Sequence, residues 1–384
     1  MTIYLDHAAT SWPKPEAVGA AMVRFLREDA GNPGRGAHEL ARRASSQVAR
    51  TRRALAARIG APDPTRVLFG SGATDALNLA IHGLVKERGA RVLITPMEHN
   101  AVLRPLATLA RTRDVVVEEL AADALGRVDP AALESALAAG PAALVCVNHV
   151  SNVNGVRQDL RGLASAARSA AVPLLVDGAQ SVGHAALSVV EEGIDLLAIP
   201  GHKGLLGPPG VGALWVRDGI ALEPQRQGGT GHRSEAEDAP IEWPTSFEAG
   251  TVNGVGLAGL EAALKAGPGP DSAAARELED LAEALARGLA ELSSLTVYAA
   301  ALAGPGAGPV ISVTSADYEP QELAALLDAE FGVAVRAGLH CAPRAHRHLG
   351  TGDQGSVRFS LGPGNTKAEV TAALDAMREL HGSS

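Results

Sequence analysis

The sequence predicts an α/β protein: a large three-layer domain around a mostly parallel sheet, followed by a smaller α+β domain. Three observations lead there. Short apolar runs alternate with longer stretches of helical spacing up to about residue 217. Most of those runs are continuously apolar, as strands covered on both faces must be. After about residue 217 the pattern changes, and residues 224–250 are polar, rich in Gly, Glu and Pro, and without periodicity. A segment of that kind reads as one long loop.

RVLF (66–69) is the first strand of the alternating region. The helix after it puts Ala73, Ala76, Leu77, Ala80, Ile81 and Leu84 on one face. Further strands are expected at 91–96, 115–120, 143–150, 173–179, 195–200 and 211–216, with helices at 38–59, 98–111, 129–139 and 159–171. A helix is expected over 252–266, and GPGP (267–270) then breaks the chain. The remainder reads as a helix (273–293), strands near 295–299 and 309–314, a helix (319–330), a strand (332–336), a loop (337–353), a strand (355–360) and a closing helix (366–380). The expected division is a large domain over 16–262 and a small domain made of 1–15 with 263–384.

The length of 384 residues suits two or three domains. With 46% hydrophobic and 20% charged residues the chain is not a disordered one. Acidic residues outnumber basic ones, 43 to 34, for a formal charge of −9, which argues against a dedicated nucleic-acid binder. No apolar run of membrane-spanning length occurs, so no membrane association is expected. The start MTIYLDHAATSW lacks the basic-then-apolar pattern of a secretory signal. Two cysteines, Cys146 and Cys341, are too few for a disulfide framework and fit a reducing cytoplasm.

Several residues stand where chemistry is expected. Lys203 lies in a Gly/Pro-rich loop between two apolar strands, at the strand end where α/β sheets bind ligands. A lone lysine is ordinarily a solvated side chain; partial desolvation here would favour the neutral amine, which forms Schiff bases. Asp177 ends an apolar run in PLLVDGAQ. It is either a turn residue before Gly178 or a buried carboxylate paired with a cation such as the pyridinium nitrogen of pyridoxal 5'-phosphate (PLP). In GSGATDALNLA (70–80) a strand, a Gly-rich turn and a helix start follow directly, so free N–H groups would hold a phosphate near Thr74. Ordinary helix capping explains that segment equally well. His99 follows a strand, as a polar surface residue or as a ring-stacking proton carrier. Arg358 enters LGPGNT from a strand and suits a carboxylate through two parallel hydrogen bonds, with Arg35 and Arg336 as weaker candidates for the same pocket. Cys146 sits in an apolar strand as a small hydrophobe. Cys341 lies among Arg336, Arg344, Arg347 and several histidines, which favours a reactive thiolate. The spacing is poor for a zinc site, and no metal is expected.

Taken together, the motifs YLDHAATSWPKP (4–15), NPGRGAHELAR (32–42), SGATDALNLA (71–80), PMEHNAVLRPL (96–106), NHVSNVNG (148–155), VDGAQSVGH (176–184), GHKGLLGPPGVGALWV (201–216), FEAGTVN (247–253), RAGLHCAP (336–343) and SVRFSLGPGNT (356–366) resemble the class V group of PLP-dependent aminotransferase-like enzymes. Within it the chain looks like a cysteine desulfurase of the group II, SufS-like branch. The resemblance runs along nearly the whole chain. It implies the PLP-dependent transferase fold type I, with 16–262 as the PLP-binding domain.

The resemblance also implies roles. Lys203 would tie PLP covalently and move the Cα proton. Asp177 would pair with the pyridine nitrogen, Gln180 would reach the phenolic oxygen, and His99 would lie over the ring. Thr74, beside Ala73, and His202 would bind the phosphate. Gly250 and Thr251 would reach the phosphate of a neighbouring subunit, making a homodimer with shared active sites. Asn152 and Arg358 would bind the substrate carboxylate. Cys341 would take sulfur from L-cysteine as a persulfide, releasing L-alanine, for transfer to an acceptor serving iron–sulfur clusters, thiolated tRNA or a sulfur-containing metabolite. One position departs from the family pattern: Pro200 stands where a hydroxyl residue usually contacts the phosphate. A selenocysteine lyase, a C–S lyase, transaminase or epimerase on another amino acid, and a catalytically silent docking protein remain the alternatives.

Overall fold

The computed structural model describes residues 2–34, 36–231, 241–269, 272–304 and 306–382. The chain opens with a short strand β1 (Ile3–Tyr4) and two helices, α1 (Glu16–Glu28) and α2 (Glu39–Arg58). The alternating region follows as β2 (Val67–Gly70), α3 (Ala73–Leu84), β3 (Arg91–Ile94), α4 (Asn100–Arg113), β4 (Val116–Glu119), α5 (Pro130–Ala138), β5 (Leu144–Asn148), α6 (Leu160–Ser169), β6 (Leu174–Asp177), β7 (Leu196–Pro200) and β8 (Gly212–Val216). Then come α7 (Gly254–Ala266), α8 (Ala273–Ala290), β9 (Leu295–Tyr298), β10 (Val310–Ser315), α9 (Pro320–Phe331), β11 (Val333–Ala334), β12 (Arg336–Gly338), α10 (Pro343–Leu349), β13 (Ser356–Ser360) and α11 (Lys367–Leu380).

Strands β2 to β8 form one seven-stranded sheet in the order β2-β8-β7-β6-β5-β3-β4. Every pair from β7 to β4 is parallel, and only β8 runs against its neighbours β7 and β2. The apolar runs are continuous because both faces are covered. Val145, Val147, Leu174, Val176, Leu197 and Ile199 enter the core on one face. Cys146, Leu175, Leu196 and Ala198 enter the core on the other. The side chains alternate as a strand requires, and neither set meets water. A second sheet, in the order β12-β13-β10-β9, is antiparallel, and β1 pairs with β11 in parallel. Its core joins Leu285, Ile311, Phe359 and Met377 with Leu5 from the start of the chain.

Helix ends follow local chemistry. Asp129, Asp159, Asn253 and Ser272 each cap a helix with a side-chain oxygen. Thr366 and Glu369 form a reciprocal capping box on α11.

Three differences from the sequence expectations have physical causes. The expected loop over 337–353 contains α10, which starts with Pro343 in its first turn and stops at Gly350 in a left-handed conformation. The expected strand over 332–336 is divided: β11 pairs with β1, and β12 pairs with β13. Helix α1 was not anticipated; its Val18 and Phe25 pack against Ala263 and Ala258 of α7. In the expected loop over 224–250, the described residues hold one short 3-10 turn, Thr245–Phe247. Residues 232–240 of that loop, and residue 270 of the expected break, lie outside the described residues. Among the described residues no helix is long and apolar enough to cross a membrane.

Candidate active site

Strands β5, β6 and β7 end side by side at Asn148, Asp177 and Pro200, and α3 starts just past the end of β2. Carboxyl ends of parallel strands are where such sheets bind ligands. A cavity of about 250 Å³ opens there, lined among others by Ala73, Thr74, His99, Asn152, Asp177, Gln180, His202 and Lys203. Two glycines let the pieces meet. A Cβ on Gly183, whose φ is +97°, would lie 2.3 Å from the backbone of Gly204, so this glycine brings the segment after Asp177 against the Lys203 loop. A Cβ on Gly212 would lie 2.5 Å from Gly72, at the start of α3.

Lys203 stands in the loop joining β7 to β8. Burial lowers its pKa to about 8; the Asp177 carboxylate opposes this, while Arg358 and Arg336 reinforce it. Asp177 is 3% exposed, and burial raises its pKa against the hydrogen bond from the Ala179 N–H (2.9 Å) and the charge of Lys203. His99 caps α4, its Nδ1 accepting from the Ala101 N–H at 3.0 Å. Burial and the cations Lys203, Arg336 and Arg358 hold its pKa near 4. At neutral pH the ring is therefore uncharged with its proton on Nε2. The N-cap of α3 is Gly72, which offers no side chain to the first-turn N–H groups, and Ser71 to Thr74 line the cavity beside them. Gln180 donates from Nε2 to the Ala8 carbonyl at 2.9 Å. His202 is hydrogen-bonded through Nδ1 to the Thr10 hydroxyl at 3.1 Å.

Cys341 and the arginines join the cavity through Asn152. The Asn152 side chain donates from Nδ2 to the carbonyl of His340 at 2.7 Å, and its buried Oδ1 has no partner among the described residues. Arg358, 1% exposed, donates to the Asn152 carbonyl (3.1 Å) and to Asp6 (2.6 Å), and its Nε is unpartnered. Arg336 lies 3.7 Å from the Cys341 sulfur, and the Asn100 N–H donates to the Cys341 carbonyl at 2.7 Å. His340 and Cys341 both adopt left-handed backbone conformations, with φ of 47° and 57°. Of the other cations expected around the thiol, Arg344 pairs with Glu119 and His348 bonds to the Asp123 carbonyl.

Arg336, Cys341 and Arg358 lie beyond the lining of this cavity and reach it through Asn152, whereas two expected residues stand apart from it altogether. Gly250 and Thr251 are exposed and border neighbouring hollows. Their segment is anchored by Glu248, which takes two hydrogen bonds from Arg52 and one from the Phe69 N–H. Arg35 lies outside the described residues. Cys146 is fully buried in β5, and burial drives its thiol pKa well up, as an inert small hydrophobe requires.

Sequence reasoning missed Asp6, the partner of Arg358; Lys14, bonded to the His202 carbonyl; Asn148; and Glu98. Glu98 is fully buried, accepts from the Thr95 hydroxyl and the Asn148 N–H at 2.7 Å each, and leaves Oε2 unpartnered. Burial raises its pKa to about 7. The unfolded chain loses this proton near the usual 4.5, whereas the folded protein keeps it to about 7. Stability therefore falls as pH rises through that window, by about 3 kcal/mol from this group. Denaturant unfolding from pH 4.5 to 7.5 should show a markedly flatter profile for Glu98→Gln than for the unmodified chain; equal slopes would exclude Glu98 as the source.

An amine with a lowered pKa, a buried carboxylate and an uncapped helix N-terminus around one cavity are the donor set that PLP requires for its aldehyde, ring nitrogen and phosphate. Fold and site together define an enzyme built for chemistry on amino groups. Residues 3–373 match the aminotransferase class-V family. A protein of Methanothermobacter thermautotrophicus named "Probable cysteine desulfurase" is 32% identical over 99% of this chain and 95% of its own length. One of the same name from Pseudomonas putida is 35% identical over 97% and 92%. The apo structure of a cysteine desulfurase from Thermococcus onnurineus NA1 superposes with a TM-score of 0.89 at 32% identity, covering 99% of this chain and 94% of that one. The cysteine desulfurase CsdA of Escherichia coli, solved as an S-sulfonic acid, gives 0.84 at 28% identity over 98% and 94%. The chain belongs to the aminotransferase class-V family.

Proposed function

We propose that this protein is a PLP-dependent cysteine desulfurase that converts L-cysteine to L-alanine and leaves the sulfur as a persulfide on Cys341. The observation that carries this reading is the link from the Lys203 cavity to the thiol: Asn152 lines the cavity and bonds the residue before Cys341, while Arg336 lies against the sulfur. The names of the relatives support it.

When bound, PLP supplies the electron sink that makes the substrate Cα–H acidic. Lys203 would hold the cofactor covalently and, once released, take the Cα proton at Nζ. Asp177 would pair with the ring nitrogen, Gln180 with the phenolic oxygen, and His99 would offer its Nε2–H above the ring. Ala73, Thr74 and His202 would receive the phosphate. Pro200 contributes no hydroxyl there, which leaves the α3 N–H groups as the main anchor. Arg358, with Arg336 beside it, would hold the substrate carboxylate through groups its Asp6 and Asn152 contacts leave free, and Asn152 Oδ1 would accept from the substrate. Arg35 is assigned to the same pocket on the family pattern alone. The Cys341 thiolate would attack the substrate sulfur. An S–S bond forms, the Cβ–S bond breaks, and its electron pair passes to carbon, which is then protonated to give alanine. Atoms balance: cysteine plus thiol gives alanine plus persulfide.

The exposure of Gly250 and Thr251 away from the cavity supports their reaching a second subunit in a homodimer with shared sites. The core that joins Leu5 with Leu285, Ile311 and Phe359 supports the division into 16–262 and 1–15 with 263–384, and a smaller cluster of Met97, Val153, Ala300 and Ala342 ties the two parts together. A cytoplasmic location and a sulfur acceptor serving clusters, tRNA or metabolites belong to the same reading.

The direct test is mass spectrometry after turnover with cysteine. One added sulfur on Cys341 is expected, and clean alanine release without it would remove the thiol from the mechanism. Two further results follow. PLP capture by apo protein should speed up as pH rises toward about 8 and level off above it, because only the neutral Lys203 amine attacks the aldehyde; a rate flat from pH 6.5 to 9 would contradict this. Arg358→Lys should raise KM for cysteine about tenfold or more, the worth of one charge-assisted hydrogen bond, while keeping the bound cofactor.

A further inference from the structure

The N-terminal segment reaches three of the assigned site residues. Asp6 bonds Arg358, the Ala8 carbonyl accepts from Gln180, and Thr10, Ser11 and Lys14 converge on His202. The convergence on His202 is unusually dense. Its carbonyl oxygen accepts from the Ser11 N–H (3.1 Å), the Ser11 hydroxyl (3.1 Å), the Thr10 hydroxyl (3.2 Å) and the Lys14 ammonium (2.6 Å). Lys14 also donates to the Ser11 hydroxyl at 2.7 Å. It is half-buried, and among the described residues no carboxylate pairs with it. Burial lowers its pKa to about 8. A desolvated cation is costly unless its donors are well placed. Here they are spent on one peptide carbonyl and the hydroxyl beside it.

That carbonyl belongs to the peptide bond joining His202 to Lys203. A planar peptide whose oxygen is fixed has its N–H, and the Cα that carries the next side chain, fixed with it. We propose that Lys14 is a positioning residue for Lys203: by clamping the His202 carbonyl it holds the Lys203 main chain in the one orientation that points the amine into the cavity. The proposal rests on the assignment of Lys203 as the cofactor-binding amine. Lys14 itself need touch neither substrate nor cofactor. An ammonium is suited to the task because it is compact and offers several donors from a single atom, whereas a guanidinium is planar and wider.

The test compares the unmodified holoenzyme with Lys14→Met and Lys14→Arg. Sodium borohydride treatment followed by peptide mass spectrometry reports whether Lys203 carries the cofactor. Fluorescence titration gives PLP affinity, thermal melting of the apo proteins gives stability, and alanine formation gives kcat and KM. Lys14→Met is expected to keep the Lys203 adduct and to melt within a few degrees of the unmodified chain. Its kcat should fall about tenfold to a hundredfold with KM for cysteine changed less than threefold, the signature of a displaced reacting group. PLP affinity should weaken, and Lys14→Arg should recover little of either loss. An unchanged kcat in Lys14→Met, or a loss matching only the fraction of unfolded or cofactor-free protein, would overturn the proposal. Absence of a Lys203 adduct in the unmodified chain would instead overturn the assignment of Lys203 and the proposal with it, so the two failures read differently.

Discussion

Replacing Lys203 with alanine is expected to cut alanine formation from cysteine by about a thousandfold or more, with no borohydride-stable cofactor adduct at that position. Lys203 is the one lysine among the described residues that lines the cavity at the strand ends. Its amine is lowered to about 8 by burial, so an appreciable neutral fraction exists near neutral pH. No other side chain there offers both covalent capture of an aldehyde and a mobile proton. Lys203→Arg should fail equally, since a guanidinium stays protonated at any working pH. The fold should survive Lys203→Ala, because alanine removes a desolvated charge that makes no side-chain hydrogen bond among the described residues. Retention of more than a tenth of the activity in Lys203→Ala would refute the assignment.

Replacing Cys341 with serine should remove sulfur transfer while leaving the cofactor bound. The serine hydroxyl is nearly the same size and keeps the geometry, but it is not ionised near neutral pH and is a poor nucleophile toward sulfur. The expected outcome is a loss of cysteine-dependent alanine formation of about a hundredfold or more, with an unchanged visible spectrum. Cys146→Ser provides the contrast: that thiol is fully buried in the core on one face of the sheet, so its replacement should affect stability and leave the persulfide unaffected. Assays with selenocysteine sharpen the reading. Selenide release retained in Cys341→Ser beside lost sulfide release would reassign the enzyme as a selenocysteine lyase.

Much of this architecture is legible in the sequence because strand and helix periods differ. Runs such as ALVCVNHV and DLLAIP are apolar on both faces, and the structure covers both faces. Helix α10 also left its signature, Pro343 at the start and Gly350 at the stop, but a seven-residue helix is too short for a hydrophobic period to register. Helix α1 carries a readable signature, with Val18, Met22 and Phe25 on one face, and its partner on α7 is what folding adds. Asp177, Lys203 and Cys341 could be singled out since each is chemically out of place in its local context. Asp6 and Lys14 could not: one needs the position of Arg358 and the other that of the His202 carbonyl, and both are contacts that only folding creates. Glu98 was hidden for a related reason, as its burial beneath the strand ends has no local marker.

The two successive left-handed residues at His340 and Cys341 limit which amino acids the reactive position accepts. Such torsions cost an L-residue roughly 1–2 kcal/mol and are worst for side chains branched at Cβ. Threonine is thereby disfavoured at position 341, although its hydroxyl serves as a nucleophile in other enzymes, and unbranched cysteine or serine fits better. Asn100 and Asn152 pin the two carbonyls of this turn, so the main chain that carries the sulfur is held from two sides. His340→Gly should ease the turn yet remove the buried imidazole's contacts to Ser356 (3.2 Å), and mass spectrometry after turnover should then show less persulfide on Cys341.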